Sequence, residues 1–215
     1  VIAFAECEGM VLHAGPTQSG GASLDWLSRL LGKSPAELAA LAASADIRHV
    51  PLFLPHLDGE RAPLWDAGAR GSFTGLTSAS GPAELSLAVL EGVAYSARLV
   101  FDSLKQSACR EAEVIHHAGG GAASNLWCQI RADVLGKTLR RTAMRDAGVL
   151  GAALMAGVGA GVFPSLAQAT QDFVQFDATF TPRAAAAARH DSRFEAYRLA
   201  YENHRALNTL LATAG

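Results

Sequence analysis

Three consecutive glycines, Gly119-Gly120-Gly121, follow a short apolar run and precede a segment with helical spacing. Glycine lets the backbone approach a flat or charged ligand, because no Cβ stands in the way. The first turn of the following helix offers free N–H groups and positive partial charge, which favour an anionic or polar ligand. Asn125 lies in that turn and can hydrogen-bond the edge of a ligand. A tight turn without a ligand would explain three glycines almost as well.

The same turn is close to a dinucleotide-binding fingerprint. Gly119, Gly121 and Ser124 occupy its three small positions, and Arg140-Arg141 fall near the next strand, where a 2′-phosphate could bind. Against this interpretation, the third small residue is Ser rather than Gly or Ala. The unit also lies late in the chain, so an NADP-binding domain of a reductase is an alternative rather than the preferred function.

A second candidate site lies in the long irregular segment predicted for residues 55–81, which is rich in Gly, Pro and Ser. Long loops in compact domains are often functional. Gly71 and Gly75 allow the backbone there to reach phosphate oxygens. The charged residues of the segment are instead predicted to order the loop or to face another domain; they include Asp58, Glu60, Arg61 and Asp66.

Hydrophobic spacing predicts the elements that position these residues. An N-terminal hairpin turns at Glu8-Gly9. Ser23 is predicted to cap the first helix. The predicted helices cover residues 23–32, 34–43, 82–106, 124–135, 148–160 and 183–211, with a short one starting at 164–165. The predicted strands cover residues 50–54, 113–118 and 138–142, with an edge strand at 173–176. This order is mixed α/β, with a strand–turn–helix–strand unit in the middle.

Composition excludes several classes of function. The chain has 215 residues, half of them hydrophobic, and a formal net charge of -2, so no basic excess exists to bind nucleic acid. No apolar run approaches the ~20 residues of a membrane span. Cys7, Cys109 and Cys128 match neither a zinc site nor a redox pair, which predicts reduced thiols in a cytoplasmic protein. His116-His117 lack partner ligands at suitable spacing, so no metal-binding residue is predicted.

The motifs, in their order, resemble the C-terminal domain of the FGGY carbohydrate kinases, most closely the xylulokinase-like members. The resemblance covers nearly the whole chain. It rests on four segments in order: residues 20–26 (GGASLDW); residues 59–76, with Gly-Glu-Arg-x-Pro-x-Trp-Asp and then Arg-Gly-x-Phe-x-Gly-Leu; residues 90–94 (LEGVA); and residues 119–133 (GGGAASNLWCQIRAD). Residues 150–153 (LGAA) follow as that family pattern requires.

This resemblance implies an α/β domain over residues 1–215 with the ribonuclease-H-like, actin-like ATPase fold, a mixed sheet flanked by helices. ATP, with magnesium (Mg²⁺) bridging its phosphates, would lie in a cleft between two such domains. Gly120, Gly121 and Asn125 would contact the adenosine, and Gly75 would lie near the phosphates. The catalytic base and most sugar contacts would belong to an N-terminal domain that the chain lacks, so no catalytic residue is assigned and the chain alone is expected to be inactive.

The preferred prediction is therefore the C-terminal half of a kinase that transfers the γ-phosphate of ATP to a hydroxyl of a ketopentose such as xylulose. Xylulose rests on the likeness of the signature loop alone, and ribulose, other ketoses and polyols stay open. A non-catalytic actin-like ATP-binding module is the binding-protein alternative. The expected partner is the sugar, without nucleic acid or membrane, and a homodimer is one candidate assembly. Val1–Ala5 reads like the inside of a strand, which suggests a fragment of a longer chain.

Overall fold

The structure, a computed structural model, describes residues 1–6 and 9–213. Its N-terminal hairpin pairs β1 (Ile2–Ala3) with β2 (His13–Ala14) in antiparallel fashion. The Phe4 N–H also donates to the Leu12 carbonyl at 2.9 Å. The predicted hairpin is confirmed, although Cys7 and Glu8, near its turn, lie outside the described residues.

Two helices follow the hairpin. Helix α1 (Gly20–Leu31) begins three residues before the predicted cap, with Ser19 at the N-cap position. Ser23 is therefore not a cap, because it lies inside the helix and its Oγ donates to the Ser19 carbonyl at 2.5 Å. Helix α2 (Pro35–Ala43) starts as predicted, since Ser34 and Glu37 form a reciprocal capping box.

The segment predicted to be irregular contains a strand. β3 (Leu52–Leu54) pairs antiparallel with β4 (Ser72–Thr74), which corrects the prediction for residues 55–81. Phe53 lies opposite Phe73, with their rings 4.7 Å apart, and Trp26 of α1 stacks on Phe53 at 6.1 Å. Aromatic pairs across strands stabilise pairing, so tertiary contacts rather than local spacing make this strand.

The second half of the chain carries the mixed sheet. β5 (Val114–His117) and β6 (Thr138–Thr142) are parallel, β6 and β7 (Phe176–Phe180) are antiparallel, and β6 is the central strand. The predicted edge strand at 173–176 is misplaced, because Ser165 caps a helix that ends at Phe173. The elements in order are α3 (Pro82–Ala108), β5 (Val114–His117), α4 (Asn125–Leu135), β6 (Thr138–Thr142), α5 (Ala147–Gly159), α6 (Leu166–Phe173), β7 (Phe176–Phe180) and α7 (Ala184–Thr213).

The main core lies where α3 packs against the first two helices, β3, α4 and α7. Its largest fully buried side chains include Tyr95, Tyr197 and Phe53. Cys109 is an exposed free thiol and Cys128 a buried one. Within the described residues, no helix combines the length and the apolar character that crossing a membrane requires.

Candidate functional site

The glycine turn joins β5 to α4, and its three glycines have different surroundings. Gly119 has φ +84°, a backbone conformation that residues with a side chain rarely adopt. Its N–H donates to the Arg145 carbonyl at 3.1 Å. A Cβ at Gly121 would lie 3.2 Å from Arg131 Nη2 and 3.3 Å from Trp127 Cζ3. A Cβ at Gly120 would meet nothing within 4 Å. The Cβ position of Gly119 is open as well, so Gly121 is the one glycine of the turn that is closely packed.

Gly120 opens into a cavity of about 530 Å³, the glycine-turn pocket. A 3-10 turn over Gly120–Ala123 forms one wall, and Ser124 caps α4 by accepting the Trp127 N–H at 3.2 Å. Helices α1, α2 and α3 provide the other walls through Leu24, Pro35, Ala36, Ala39 and Leu90. Mostly apolar walls beside a bare glycine backbone suit a flat heteroaromatic ring.

Asn125 lines a second, more polar cavity of about 360 Å³, the Asn125 pocket. Ala123 borders both cavities, so the two adjoin at the glycine turn. Arg141 Nη1 donates to Asn125 Oδ1 at 2.8 Å and to the Ala122 carbonyl at 3.2 Å. The remaining polar lining of this pocket is Thr142, Arg145 and Asp177.

The two other predicted ligand-binding glycines lie differently. Gly121 lines neither cavity and packs on the Trp127–Arg131 pair. Gly75 follows β4 with φ +82°, open space at its Cβ position and no part in either pocket. The structure thus brings Gly120 and Asn125 to adjacent cavities, but does not bring Gly75 to them.

A buried polar network holds the loop between β3 and β4. Glu60 is 4% exposed and accepts hydrogen bonds from the N–H groups of Gln18 at 2.8 Å and Arg61 at 2.9 Å. Its other oxygen lies 2.9 Å from His56 Nδ1. Burial by itself raises the pKa of the Glu60 carboxyl, but these hydrogen bonds outweigh it and lower that pKa below its ordinary value.

Asp66 holds the far end of the same loop. Its backbone pairs with that of Glu60 in both directions, at 2.8 and 2.9 Å, and its side chain accepts the Tyr201 hydroxyl at 2.9 Å. Asp58 and Arg61 are exposed. Of the four charged residues, Glu60 and Asp66 order the loop as predicted. The sequence offered no local signal for their distant partners Gln18 and Tyr201.

A partly buried cation, Arg131, packs against the glycine turn. Arg131 donates to His117 Nε2 at 2.8 Å, and its guanidinium lies 4.4 Å from the Trp127 ring centre. Burial lowers the pKa of Arg131 to about 10. Sequence reasoning missed Arg131 and considered Arg141 only for a 2′-phosphate, whereas Arg141 bonds Asn125; the two arginines act on residues 14 and 16 positions away. The described side chains contain no group of three or more His, Cys, Asp or Glu that could hold a metal ion.

Known proteins are similar to this chain in sequence and in fold. The family model "FGGY family of carbohydrate kinases, C-terminal domain" matches residues 5–160. A xylulose kinase of Staphylococcus epidermidis is 33% identical over 204 residues, which cover 93% of this chain and 40% of that protein. A glycerol kinase of a Geobacter species is 39% identical over 153 residues, covering 70% of this chain and 31% of that protein.

Solved structures agree with the sequence matches. The ligand-bound xylulose kinase of Lactobacillus acidophilus superposes with a TM-score of 0.78 at 30% identity, over 90% of this chain and 39% of that one. This likeness confirms the predicted α/β, ribonuclease-H-like fold of actin-like ATPases. The chain spans about two-fifths of the length of the xylulose kinases that it matches. It belongs to the FGGY family of carbohydrate kinases, as a C-terminal domain of that family.

Proposed function

We propose that this domain is the nucleotide-binding half of an ATP-dependent kinase that phosphorylates a hydroxyl of a small sugar or polyol. Family membership supports the reaction class. The single observation that carries the nucleotide site is the glycine-turn pocket, where the open backbone of Gly120 faces apolar walls. A cavity of about 530 Å³ lies within the range that small-molecule and cofactor sites occupy.

In this proposal the adenine ring lies in the glycine-turn pocket, and Asn125 binds a polar edge of the adenosine from the neighbouring cavity. Gly121 contributes by allowing close packing of the turn on Trp127, and Gly75 approaches the phosphates. Mg²⁺, when bound, would neutralise charge on the transferring phosphoryl group. We assign no metal ligand and no catalytic base to this chain, and place the base and most sugar contacts in an N-terminal domain.

Xylulose is the proposed sugar. The matched xylulose kinase aligns with 93% of the chain, whereas the glycerol kinase aligns with 70% of it. Two kinases with different substrates therefore share this domain, as expected if the domain handles the common ATP and another domain selects the sugar. ATP as co-substrate and the free thiols Cys109 and Cys128 support a cytoplasmic location.

Calorimetry with Mg-ADP tests the site, with Gly120→Val and Asn125→Ala as variants. Valine at Gly120 would fill the open face of the turn, and alanine at Asn125 would remove a hydrogen bond. Each variant is expected to bind ADP about 10-fold more weakly, which corresponds to roughly 1.4 kcal/mol.

Gly148→Val is the matched control, because its Cβ also meets nothing within 4 Å and Gly148 lines neither pocket. Equal ADP affinity in the wild type, the control and both site variants would contradict the assignment of Gly120 and Asn125.

A further inference from the structure

Arg141 connects the end of the sheet to the first turn of α4. Its Nε donates to Asp177 Oδ1 at 2.7 Å, and its Nη1 donates to Asn125 Oδ1 at 2.8 Å. We propose that Arg141 is a positioning residue that holds the Asn125 amide in one orientation, so that its Nδ2 serves as a fixed hydrogen-bond donor to an acceptor atom of the nucleotide. This inference rests on the nucleotide site proposed above.

The amide orientation follows from the chemistry of the two groups. A guanidinium has five N–H donors and no acceptor, so only the carbonyl oxygen of Asn125 can face Arg141. The opposite orientation would set N–H against N–H. Among the described residues, Nδ2 of Asn125 has no hydrogen-bond partner, so its two donors remain for a ligand.

A β-bulge supplies the anchor for Arg141. In the pairing of β6 with β7, Arg141 lies opposite Ala178 and Thr142 opposite Phe176. Asp177 is therefore the extra residue, without a register partner of its own. Bulges re-aim side chains, and this one aims the Asp177 carboxylate at Arg141. The Arg141 guanidinium lowers the pKa of the Asp177 carboxyl, which keeps the pair charged.

The same contacts argue against a direct phosphate contact by Arg141. Its Nε and Nη1 are engaged by Asp177, Asn125 and the Ala122 carbonyl, which leaves only Nη2 for a ligand, and Asp177 neutralises its charge. The ligand feature that Asn125 selects is then an acceptor, such as a ring nitrogen of the purine or a ribose oxygen. A donor group at that position, such as an exocyclic amine, would be repelled by the N–H groups of Nδ2.

The test combines nuclear magnetic resonance of the Asn125 side-chain amide with ADP calorimetry on the 215-residue chain. Arg141→Met removes the anchor while keeping a long apolar stem. It is expected to increase the mobility of the Asn125 side-chain amide in ¹⁵N relaxation and to weaken ADP binding about 5- to 10-fold. In an Asn125→Ala background the same change should weaken binding by less than about 2-fold, since coupled residues are not additive.

Asn125→Asp keeps an oxygen for Arg141 but removes the donor, so its ADP affinity should fall as far as that of Asn125→Ala. Arg140→Met is the matched control, because Arg140 is the adjacent residue of β6 and lies over the Phe176 ring at 3.9 Å instead. Thermal melts confirm that each variant is folded.

An unchanged Asn125 amide in Arg141→Met would overturn the inference. So would full ADP affinity in Asn125→Asp, or an equal Arg141→Met effect in the Asn125→Ala background. Failure of the wild-type chain to bind ADP would instead contradict the proposed function, while the amide measurement would still decide the role of Arg141.

Discussion

At the scale of single residues, the glycine turn is supported by His117, whose imidazole stays neutral. His117 accepts a hydrogen bond from Arg131, so a proton on its Nε2 would meet a cation at 2.8 Å. Burial, and then the charges of Arg131 and Arg141, lower the pKa of His117 to about 4. The turn therefore rests on an uncharged imidazole throughout the physiological pH range.

We expect this histidine to make stability depend on pH. Its folded pKa of about 4 lies below its ordinary value of 6.5, so the unfolded chain takes up the proton first. The His117 contribution is complete above pH 6.5 and is lost as the pH falls toward 4, by roughly 1–2 kcal/mol after allowance for its partial exposure.

Urea denaturation at several pH values measures this effect, with His117→Gln as the variant. His190 is also buried with a lowered pKa, so the variant should retain part of the slope. The same pH dependence in wild type and His117→Gln would show that His117 does not contribute.

The three glycines show how much of a residue's role can be predicted from the sequence alone. The sequence marks all of them as a site for close backbone approach, yet Gly119 is needed for its positive φ and Gly121 for packing on Trp127. Gly119 and Gly120 both have free space at the Cβ position, but of the three glycines only Gly120 lines the glycine-turn pocket. These differences depend on Arg131 and Arg145, whose positions relative to the turn no local pattern encodes.

At the scale of elements, the long helix α3 touches β3 through a residue without a side chain. A Cβ added at Gly92 would clash with the Phe53 carbonyl oxygen and lie 3.0 Å from its ring. Because that oxygen is backbone, it cannot move aside as a flexible side chain would. Gly92 thus sets how closely α3 approaches the strand.

We therefore expect Gly92→Ala to destabilise the domain by about 2–3 kcal/mol through overpacking. That loss corresponds to a fall in melting temperature of roughly 5–10 °C for a chain of this size. Differential scanning calorimetry measures the change.

Gly151→Ala is the control, because Gly151 is also interior to a helix but has no atom within 4 Å of its Cβ position. Its helix should gain about 0.5–1 kcal/mol. A Gly92→Ala variant as stable as this control would contradict the close approach.

Elements could be predicted where the signal is local. The cap at Ser34, the stop at Gly32 and the spacing of α3 locate their helices well. β4 could not be predicted, because its three residues become a strand only against Phe53 and Trp26. Asn125 indicated part of the Asn125 pocket from the sequence, but its bond with Arg141 could not be predicted, since that contact depends on how α4 packs against β6.

At the scale of the whole molecule, α7 attaches to the rest of the domain through buried carboxylates. Glu91, 2% exposed, pairs with Arg189 at 2.5 Å and with Arg193 at 3.2 Å. Asp133, equally buried, accepts at 2.6 Å from Arg183, the residue immediately before α7. Both acids belong to motifs of the family resemblance, and their observed contacts are structural.

We expect removal of the two arginines to destabilise the domain more than removal of Glu91. Arg189→Met with Arg193→Met leaves a buried carboxylate unpaired and should cost about 3–5 kcal/mol. Glu91→Met leaves two arginines that are about a quarter exposed and can be hydrated, so it should cost less.

Adding Glu91→Met to the double arginine variant should then restore part of the lost stability, measured by urea denaturation. Simple addition of the separate losses in the triple variant would contradict the buried-pair explanation.

Helix α7 also reaches the loop between β3 and β4, since Tyr201 bonds Asp66 and Tyr197 lies 3.4 Å from His56. It does so from beyond residue 160, where the family match ends. Chimeric kinases built by exchanging the matched segment alone would separate the loop from the tyrosines that hold it. A functional crossover point in such recombinants must not fall between the loop and α7, so that the matched segment and the last helix are inherited as one block.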